Sequence, residues 1–241
     1  MFNLSSSPFR KEKAFDIKID VEQPISFSSE SELVQTFTTN SHKNIFNHLE
    51  WTSELNAGNG IADIVLYNTR KDWKNNSSLA LIRPQMANSL VALPYRKAFD
   101  VEYFSSLACI SKSTSERVLK EFSLAGYCDK SASGWIKLKQ PRPPIANIYA
   151  IEAKLKDWRR ALLQATSYQE FANQSWVLMD SKFCKKAMEN KLEFTKRNVG
   201  LISISPDGKL NPLIGCSTII PKSQYRFWYA NVLLLASTLK L

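Results

Sequence analysis

The sequence has few residues of the kinds that build metal or disulfide sites from sulfur and imidazole. Its 241 residues include four cysteines and two histidines. The cysteines are Cys109, Cys128, Cys184 and Cys216. No two of them are close enough in sequence for a zinc knuckle or a CxxC pair, and His42 and His48 lie far from all four. We therefore expect reduced, structural thiols and no zinc site.

Long apolar runs are also missing from the sequence. No span approaches the ~20 apolar residues of a membrane helix, and the longest candidate, residues 228–235, is too short. The N-terminal residues 1–13, MFNLSSSPFRKEK, have no apolar core of the signal-peptide type. The sequence predicts a soluble, cytoplasmic protein without a membrane partner.

Acidic residues are outnumbered by basic ones. Lysine and arginine total 32 against 22 aspartates and glutamates, which gives a net charge of +10 and a pI near 9.4. An excess of this size suits a polyanionic partner, nucleic acid first, because a pI above about 9 is one of the features of nucleic-acid-binding domains. The alternative is a soluble protein that is merely basic.

The pattern of apolar residues predicts a mixed α/β organisation. The predicted strands lie at residues 46–55, 61–67, 148–155, 175–180, 199–205 and 209–214. The predicted helices lie at residues 29–38, 101–110, 111–127, 157–173, 182–194 and from about 223 onward. The helical segment between the second and third strands is bracketed by a polar loop and by the linker QPRPP at residues 140–144. This bracketing indicates an inserted subdomain.

One predicted strand, in the stretch IYAIEAKLKDW at residues 148–158, carries two charges among apolar residues. Residues two apart in a strand share a face, so Glu152 and Lys154 point the same way. Asp63 is an isolated acid in another apolar strand, and if the strands are neighbours the three groups meet. Two carboxylates can hold a hard divalent cation, and Lys154 would contact a phosphate or help to deprotonate water. The alternative is a structural Glu–Lys pair at a strand end.

Three segments, in this order, resemble the PD-(D/E)xK nuclease superfamily. They are GIADIVLY (60–67), YAIEAKLKDW (149–158) and ALLQATSYQEFANQSWVLMD (161–180). The resemblance covers about residues 29–67 and 145–215, and it departs from the family in having Ala62 instead of proline before the acid. It implies a restriction-endonuclease-like mixed sheet flanked by helices, with the nuclease core at residues 1–85 and 141–241.

The resemblance also implies roles for individual residues. Asp63 would be the acid of the second strand, and Glu152 and Lys154 would be the acid and the lysine of the ExK motif. Mg²⁺ or Mn²⁺ would be held by Asp63 and Glu152, with the Ala153 carbonyl as third ligand. Gln164 would orient a neighbouring group or touch the phosphate, although a solvated polar residue is an equal alternative.

Further residues are accessory candidates on the same resemblance. Several branches of the family have a Gln-x-x-x-Tyr motif on the helix that follows the ExK strand. Here the motif would be Gln164 and Tyr168, and Tyr168 also falls on the packed face of that helix. Some families have a glutamate on the first helix, which would be Glu32 or Glu30. Glu54, on the first strand, competes with both.

The inserted segment, residues 86–140, resembles a winged helix-turn-helix. The stretch 101–127 has two helices around a tight turn, and CDKSASGWIKLK (128–139) would be the wing. The second helix of such a module enters the major groove of DNA. Its candidate DNA-contacting residues are Lys112, Ser113, Thr114, Ser115, Arg117 and Lys120. Ser113 and Glu116 have the spacing of a capping box. The alternative is a winged helix used for protein contact or dimerisation.

Three further cations, Lys156, Arg159 and Arg160, follow the ExK motif and would bind flanking phosphates. The alternative is that they simply form the exposed face of a helix.

The sequence thus predicts a metal-dependent endonuclease that cuts DNA and is docked on it by a winged helix. Duplex DNA is favoured over RNA, and a homodimer or a protein partner in a larger assembly is plausible by family analogy. The alternatives are a non-catalytic DNA-binding regulator or adaptor, and an RNA nuclease that a partner activates.

Overall fold

The structure is a computed structural model that describes residues 26–39, 41–58 and 60–241. Its strands are β1 (Glu50–Asn56), β2 (Ile61–Thr69), β3 (Ala98–Phe99), β4 (Cys128–Ser131), β5 (Gly134–Lys137), β6 (Ile145–Lys154), β7 (Gln174–Asp180), β8 (Gly200–Ile204) and β9 (Leu210–Ile214). Its α-helices are α1 (Glu30–Thr39), α2 (Ala87–Ala92), α3 (Val101–Ala108), α4 (Lys112–Leu124), α5 (Trp158–Ser167), α6 (Cys184–Glu189), α7 (Lys191–Arg197) and α8 (Gln224–Leu239).

Six strands form one mixed sheet in the order β1-β2-β6-β7-β8-β9. Strands β6, β7 and β8 run parallel to one another, and the other neighbouring pairs are antiparallel. Because β2 is antiparallel to β6, the start of β2 lies at the end of the sheet where β6 finishes. The predicted α/β class, a mixed sheet flanked by helices, is confirmed. The resemblance to a particular nuclease fold stays a prediction.

The two faces of the sheet are covered by different helices. On one face, Ile151 and Ala153 of β6 pack in the same cluster as Leu33 and Phe37 of α1. This confirms that the apolar residues alternating with Glu152 and Lys154 pack on a helix. The opposite face is covered by α5, α6, α7 and α8 through two further apolar clusters. The side chains that alternate with Ile151 and Ala153 therefore point toward the α5–α8 side.

Several element boundaries differ from prediction. The first strand starts at Glu50, because residues 46–49 form turns and bends. The helix predicted at 157–173 ends at Ser167 and continues as a 3-10 turn, and the basic helix predicted at 182–194 is two helices. In the described ranges, no helix combines the length and the apolar composition needed to cross a bilayer.

The inserted segment has its own small sheet, ordered β3-β5-β4, beside helices α2, α3 and α4. Phe104 of α3 and Phe122 of α4 are fully buried and meet at 5.6 Å between ring centroids. The capping box predicted at Ser113 is wrong. The hydroxyl of Ser111 accepts the Thr114 N–H at 3.2 Å, so the helix starts two residues earlier.

Helix α8 connects the insert to the main sheet. Its Trp228, Val232 and Leu235 belong to the apolar cluster of the insert. Its Ala230 and Leu234 pack on the face of the main sheet. The insert is thus joined to the sheet by a shared core as well as by the two chain connections.

Gly200 at the start of β8 provides a test of the core. A Cβ built on Gly200 would lie 2.1 Å from the ring of Trp176, its partner on β7. We expect Gly200→Ala to lower the free energy of unfolding by about 1–3 kcal/mol, the usual cost of overpacking a core, as measured by denaturant titration. Gly215→Ala is the matched control, because a Cβ there meets no atom within 4 Å. Equal effects of the two substitutions would contradict this packing.

Candidate active site

The ammonium group of Lys154 is surrounded by oxygen atoms at the end of β6. Its Nζ lies 2.8 Å from Oε1 of Glu152 and 3.2 Å from Oε2 of Glu30, and it donates to the Ala153 carbonyl at 2.9 Å. Oδ2 of Asp63 lies 4.0 Å from the same nitrogen. The structure therefore brings together Asp63, Glu152, Lys154 and the Ala153 carbonyl, as the sequence pattern requires.

Glu152 is the most buried member of this group, with 1% of its surface exposed. The Tyr168 hydroxyl donates to its second carboxylate oxygen and also lies 2.7 Å from the carbonyl oxygen of Ile61. Burial raises the pKa of Glu152 above the ordinary value for a glutamate, although the hydrogen bonds from Lys154 and Tyr168 act to lower it. Asp63 raises this pKa further through like-charge repulsion.

Asp63 is joined to the neighbouring strand through the backbone. Its Oδ2 accepts the Ala153 N–H at 2.8 Å, so the carboxylate is held against β6. Burial raises the pKa of Asp63, and Glu30 and Glu54 raise it further, while the Ala153 N–H and Lys154 act in the opposite direction. Both carboxyl groups are therefore less acidic than free side chains, as is common where functional groups crowd together.

Lys154 shows the opposite balance. Burial acts to lower its pKa, but the contacts with Glu152, Asp63 and Glu30 together outweigh burial, so the pKa of Lys154 is raised. The amine therefore stays charged at neutral pH. Of its two predicted roles, contact with a phosphate through positive charge fits this state, whereas removal of a proton from water does not.

The three accessory glutamates occupy different places. Glu30, in the first turn of α1, reaches Lys154. Glu32 turns away and accepts from the N–H and the hydroxyl of Ser28 at 2.8 and 2.6 Å, which makes it part of the start of the helix. Glu54 occupies the position of β1 that faces Asp63 but is left out of the regular pairing, and its backbone is left-handed with φ 54°.

Gln164 lies on α5, and Tyr168 begins the 3-10 turn that follows it. Tyr168 is 1% exposed and belongs to the apolar core, as predicted, but its hydroxyl also touches Glu152. Gln164 is half-buried one turn earlier. Its Oε1 is buried, and no donor among the described residues reaches it. A buried acceptor without a partner is unusual in folded proteins.

The predicted DNA-contacting side chains of the insert are only partly available. Lys112, Ser113, Arg117 and Lys120 are exposed along α4. Lys112 is paired with Glu102 of α3 at 2.6 Å. Thr114 is half-buried, and its hydroxyl is bonded to Ser111 at 2.9 Å. Ser115 is fully buried and cannot touch DNA in this arrangement, because the apolar face of α4 is wider than its sequence pattern indicated.

The cations that follow the ExK motif lie beside aromatic rings. Lys156, Arg159 and Arg160 are all exposed. Lys156 lies 4.7 Å from the ring centroid of Phe183, and Arg159 lies 4.6 Å from that of Trp158. Both contacts are within the range of cation–π attraction. The position of Phe183 beside Lys156 was not evident from the sequence, since the two residues come from different loops.

One buried acid that the sequence analysis left unassigned, Asp180, has a structural role. It ends β7, is fully buried, and accepts from the hydroxyl of Ser26 at 2.6 Å and from the N–H of Phe27 at 3.1 Å. It thereby holds the segment that leads into α1. An acid at the end of a strongly apolar strand is the only sequence signal that pointed to it.

Comparison with known proteins adds no family to this geometry. No protein-family model matches the chain, and no curated protein matches it at a significant level. The described residues also contain no ready-made group of three acidic, histidine or cysteine side chains that would hold a metal ion. Instead, the ammonium of Lys154 stands between the carboxylates.

Tyr168→Phe tests the contact with Glu152. Loss of the hydroxyl removes a hydrogen bond that lowers the pKa of Glu152, so we expect this pKa to rise further in a ¹³C NMR titration of the labelled carboxyl. The folded-state pKa already exceeds the unfolded value, so the folded protein binds the proton more tightly. Stability therefore falls as pH rises from the unfolded to the folded pKa, and the substitution should extend that window upward.

Tyr149→Phe is the control for this titration. Tyr149 lies on the same strand, and its hydroxyl makes no hydrogen bond within the described part of the chain. An unchanged titration of Glu152 in Tyr168→Phe, or an equal change in the control, would exclude the assigned contact.

Proposed function

We propose that the protein is a metal-dependent nuclease of the PD-(D/E)xK type that hydrolyses DNA phosphodiester bonds. The observation that carries this proposal is the meeting of Asp63, Glu152 and Lys154 at one end of the sheet, within 4.0 Å of the Lys154 nitrogen. The three residues come from two strands separated by an inserted segment. Their order and the two-residue spacing of Glu152 and Lys154 match the motif that suggested the family. The long gap between Asp63 and Glu152 departs from the family, and the inserted segment accounts for it.

The donor set suits Mg²⁺ or Mn²⁺. Asp63 and Glu152 supply carboxylate oxygens, and the Ala153 carbonyl points to the same place, since it accepts from Lys154 at 2.9 Å. Hard divalent ions prefer such oxygen ligands. The ammonium now among these oxygens indicates that a cation is favourable there. When bound, such an ion supplies Lewis-acid activation of water and neutralises charge on the transferred phosphoryl group.

The remaining residues of the site have complementary roles. Lys154, kept charged by its neighbours, would contact a phosphate oxygen once its carboxylate partners are engaged elsewhere. Tyr168 would hold the carboxylate of Glu152 in one orientation. Oε1 of Gln164, which has no partner among the described residues, offers an acceptor for a water molecule or a substrate donor.

The insert is the proposed DNA-docking module. Its helices α3 and α4 with the hairpin β4–β5 match the outline of a winged helix-turn-helix, and exposed Arg117 and Lys120 lie along α4. Cations so arranged suit phosphate contacts, which fix register and orientation on the duplex. The net charge of +10 supports the same partner.

A second function is favoured by one observation. Because Lys154 fills the space between the carboxylates, the same arrangement fits a stable ion-pair network in a DNA-binding regulator or adaptor that does not cut. Buried charges that are paired and hydrogen-bonded can persist for structural reasons alone.

Cleavage assays separate the two functions. We expect the purified protein to cut DNA with Mg²⁺ or Mn²⁺ and to stop cutting when the metal is chelated. Glu152→Gln and Lys154→Met should each lower the cleavage rate by about 100-fold or more, the scale at which a positioned catalytic group acts. The measurement is gel-resolved cleavage of plasmid, linear and single-stranded DNA, and of RNA.

Lys240→Asn is the charge-matched control and should cut like the wild type. Lys240 is exposed at the end of α8 in a left-handed conformation that asparagine tolerates. A wild-type protein that binds DNA but never cuts any of these substrates would favour the regulator. Cleavage confined to RNA would change the proposed substrate.

The insert can be tested by the salt dependence of DNA binding. Arg117→Ala and Lys120→Ala should each weaken binding and reduce the slope of log K against log[salt] by about 1, the value for one lost phosphate contact. Fluorescence anisotropy with a labelled duplex measures both quantities. Unchanged slopes in both variants would remove α4 from the interface.

A further inference from the structure

We propose that the carboxyl end of the parallel strands carries a second nucleic-acid contact surface. We call it the edge surface and define it as Lys156, Lys182, Phe183, Lys185 and Lys186. Its ligand would be the sugar-phosphate backbone of the strand whose scissile phosphate lies at Lys154. The inference rests on the proposed function for the identity of that ligand. Sequence reasoning assigned phosphate contact to Lys156 alone among these five.

The topology of the sheet places this surface beside the candidate site. Lys156 follows Lys154 by two residues, and Lys182 and Phe183 follow the end of β7. Strands β6 and β7 are parallel, with Lys154 paired to Met179, so the two loops leave the sheet side by side. In open α/β sheets, ligands bind in the crevice outside the carboxyl ends of such strands.

Two ammonium groups share one aromatic ring in this surface. Nζ of Lys156 lies 4.7 Å from the centroid of Phe183, and Nζ of Lys182 lies 5.8 Å from it. Cation–π attraction holds each ammonium near the ring, although the two charges repel each other. A polyanion laid across both would relieve that repulsion, because it pairs each positive charge with a phosphate.

Three acidic residues lie near these cations in sequence, and within the described ranges none of them forms an ion pair with a lysine of the edge surface. Glu189 is exposed at the end of α6, three and four positions after Lys186 and Lys185. Asp157 accepts the Arg160 N–H at 3.1 Å and caps α5. Asp180 is fully buried and accepts the backbone N–H of Lys182 at 2.9 Å, which fixes the path of the loop. Across the described residues, none of the four lysines of the edge surface takes part in an ion pair. Their charge is therefore available to a ligand.

Helix α6 presents the outer part of the surface. Cys184 and Ala187 are buried against the sheet, which fixes the rotation of the helix. Lys185 and Lys186 are exposed as a result.

The test is a binding titration on the full-length protein. The triple variant Lys182→Gln, Lys185→Gln and Lys186→Gln removes three charges and keeps a polar side chain with a shorter aliphatic stem at each position. With chelator present and a fluorescein-labelled DNA duplex, we expect its affinity at low salt to fall about 10-fold or more. The slope of log K against log[salt] should become shallower by about 2–3, the value for three lost phosphate contacts.

The matched control is the triple variant Lys43→Gln, Lys74→Gln and Lys240→Asn, which removes the same charge from exposed positions outside both surfaces. It should keep nearly the wild-type slope. Phe183→Leu leaves the net charge unchanged, so a smaller but measurable loss of affinity in this variant supports the shared ring. Thermal melts verify that every variant is folded.

Three results would overturn the proposal. The first is unchanged DNA binding in the triple variant of the edge surface, and the second is an equal loss of affinity in that variant and in the control triple variant. The third is weakened binding of heparin, a polyanion without bases, while binding of DNA stays unchanged. The assay measures binding and needs no cleavage, so failure of the edge surface and failure of the nuclease proposal give different results. If the wild type never cuts but the triple variant of the edge surface binds DNA more weakly, the edge surface is supported and the nuclease proposal is not. If the wild type cuts DNA and the triple variant of the edge surface binds and cuts like the control variant, only the edge surface is rejected.

Discussion

The side chain of Lys154 is only 13% exposed, so its ammonium depends on protein oxygen atoms as partners. A charge removed from water costs several kcal/mol unless partners compensate it. Here the partners come from three segments: Glu30 from α1, Asp63 from β2, and Glu152 with the Ala153 carbonyl from β6. The positions of α1, β2 and β6 at this end of the sheet are therefore linked through their shared contacts with the Lys154 nitrogen.

The same group of residues carries unbalanced charge. Three carboxylates approach a single ammonium, and the pKa values of Asp63 and Glu152 are raised by burial as a result of this placement. The three carboxylates repel one another, and apolar packing on the other face of β6 keeps their segments together. In that packing, Leu33 and Phe37 join α1 to β6. Carboxyl groups whose pKa values are shifted by burial and neighbouring charges are frequent at functional sites, although structural ion-pair networks also contain them.

The parts of this site that could be predicted follow from local periodicity. The two-residue spacing of Glu152 and Lys154 is a property of any strand, and Asp63 is conspicuous as an isolated acid in a β-branched run. The sheet class and the terminal hairpin also follow from patterns within about ten residues. These features depend on neighbours in sequence, so a single chain is enough to find them.

The remaining features depend on contacts between distant segments. The choice of Glu30 over Glu32 is decided by how α1 packs, because both residues are glutamates and they are only two positions apart in sequence. The burial of Ser115 and the left-handed backbone of Glu54 likewise reflect tertiary packing that overrides local preference. Phe183 meets Lys156 only because β6 and β7 are parallel neighbours.

Helix α8 has a consequence for how the two halves of the molecule would act together. Its Trp228 and Leu235 pack on the insert while Ala230 and Leu234 pack on the sheet, so a change in the position of the insert relative to the sheet would break apolar contacts along α8. The chain leaves the main sheet after Thr69 and rejoins it at Ile145, its paired residue, about 20 Å along the strands from Asp63 and Glu152. If the insert binds a DNA sequence and the site on the sheet cuts the same DNA, the distance between the two sites is set by the fold. The cut would then fall at a constant number of base pairs from the bound sequence, instead of being scattered as a flexible tether would allow.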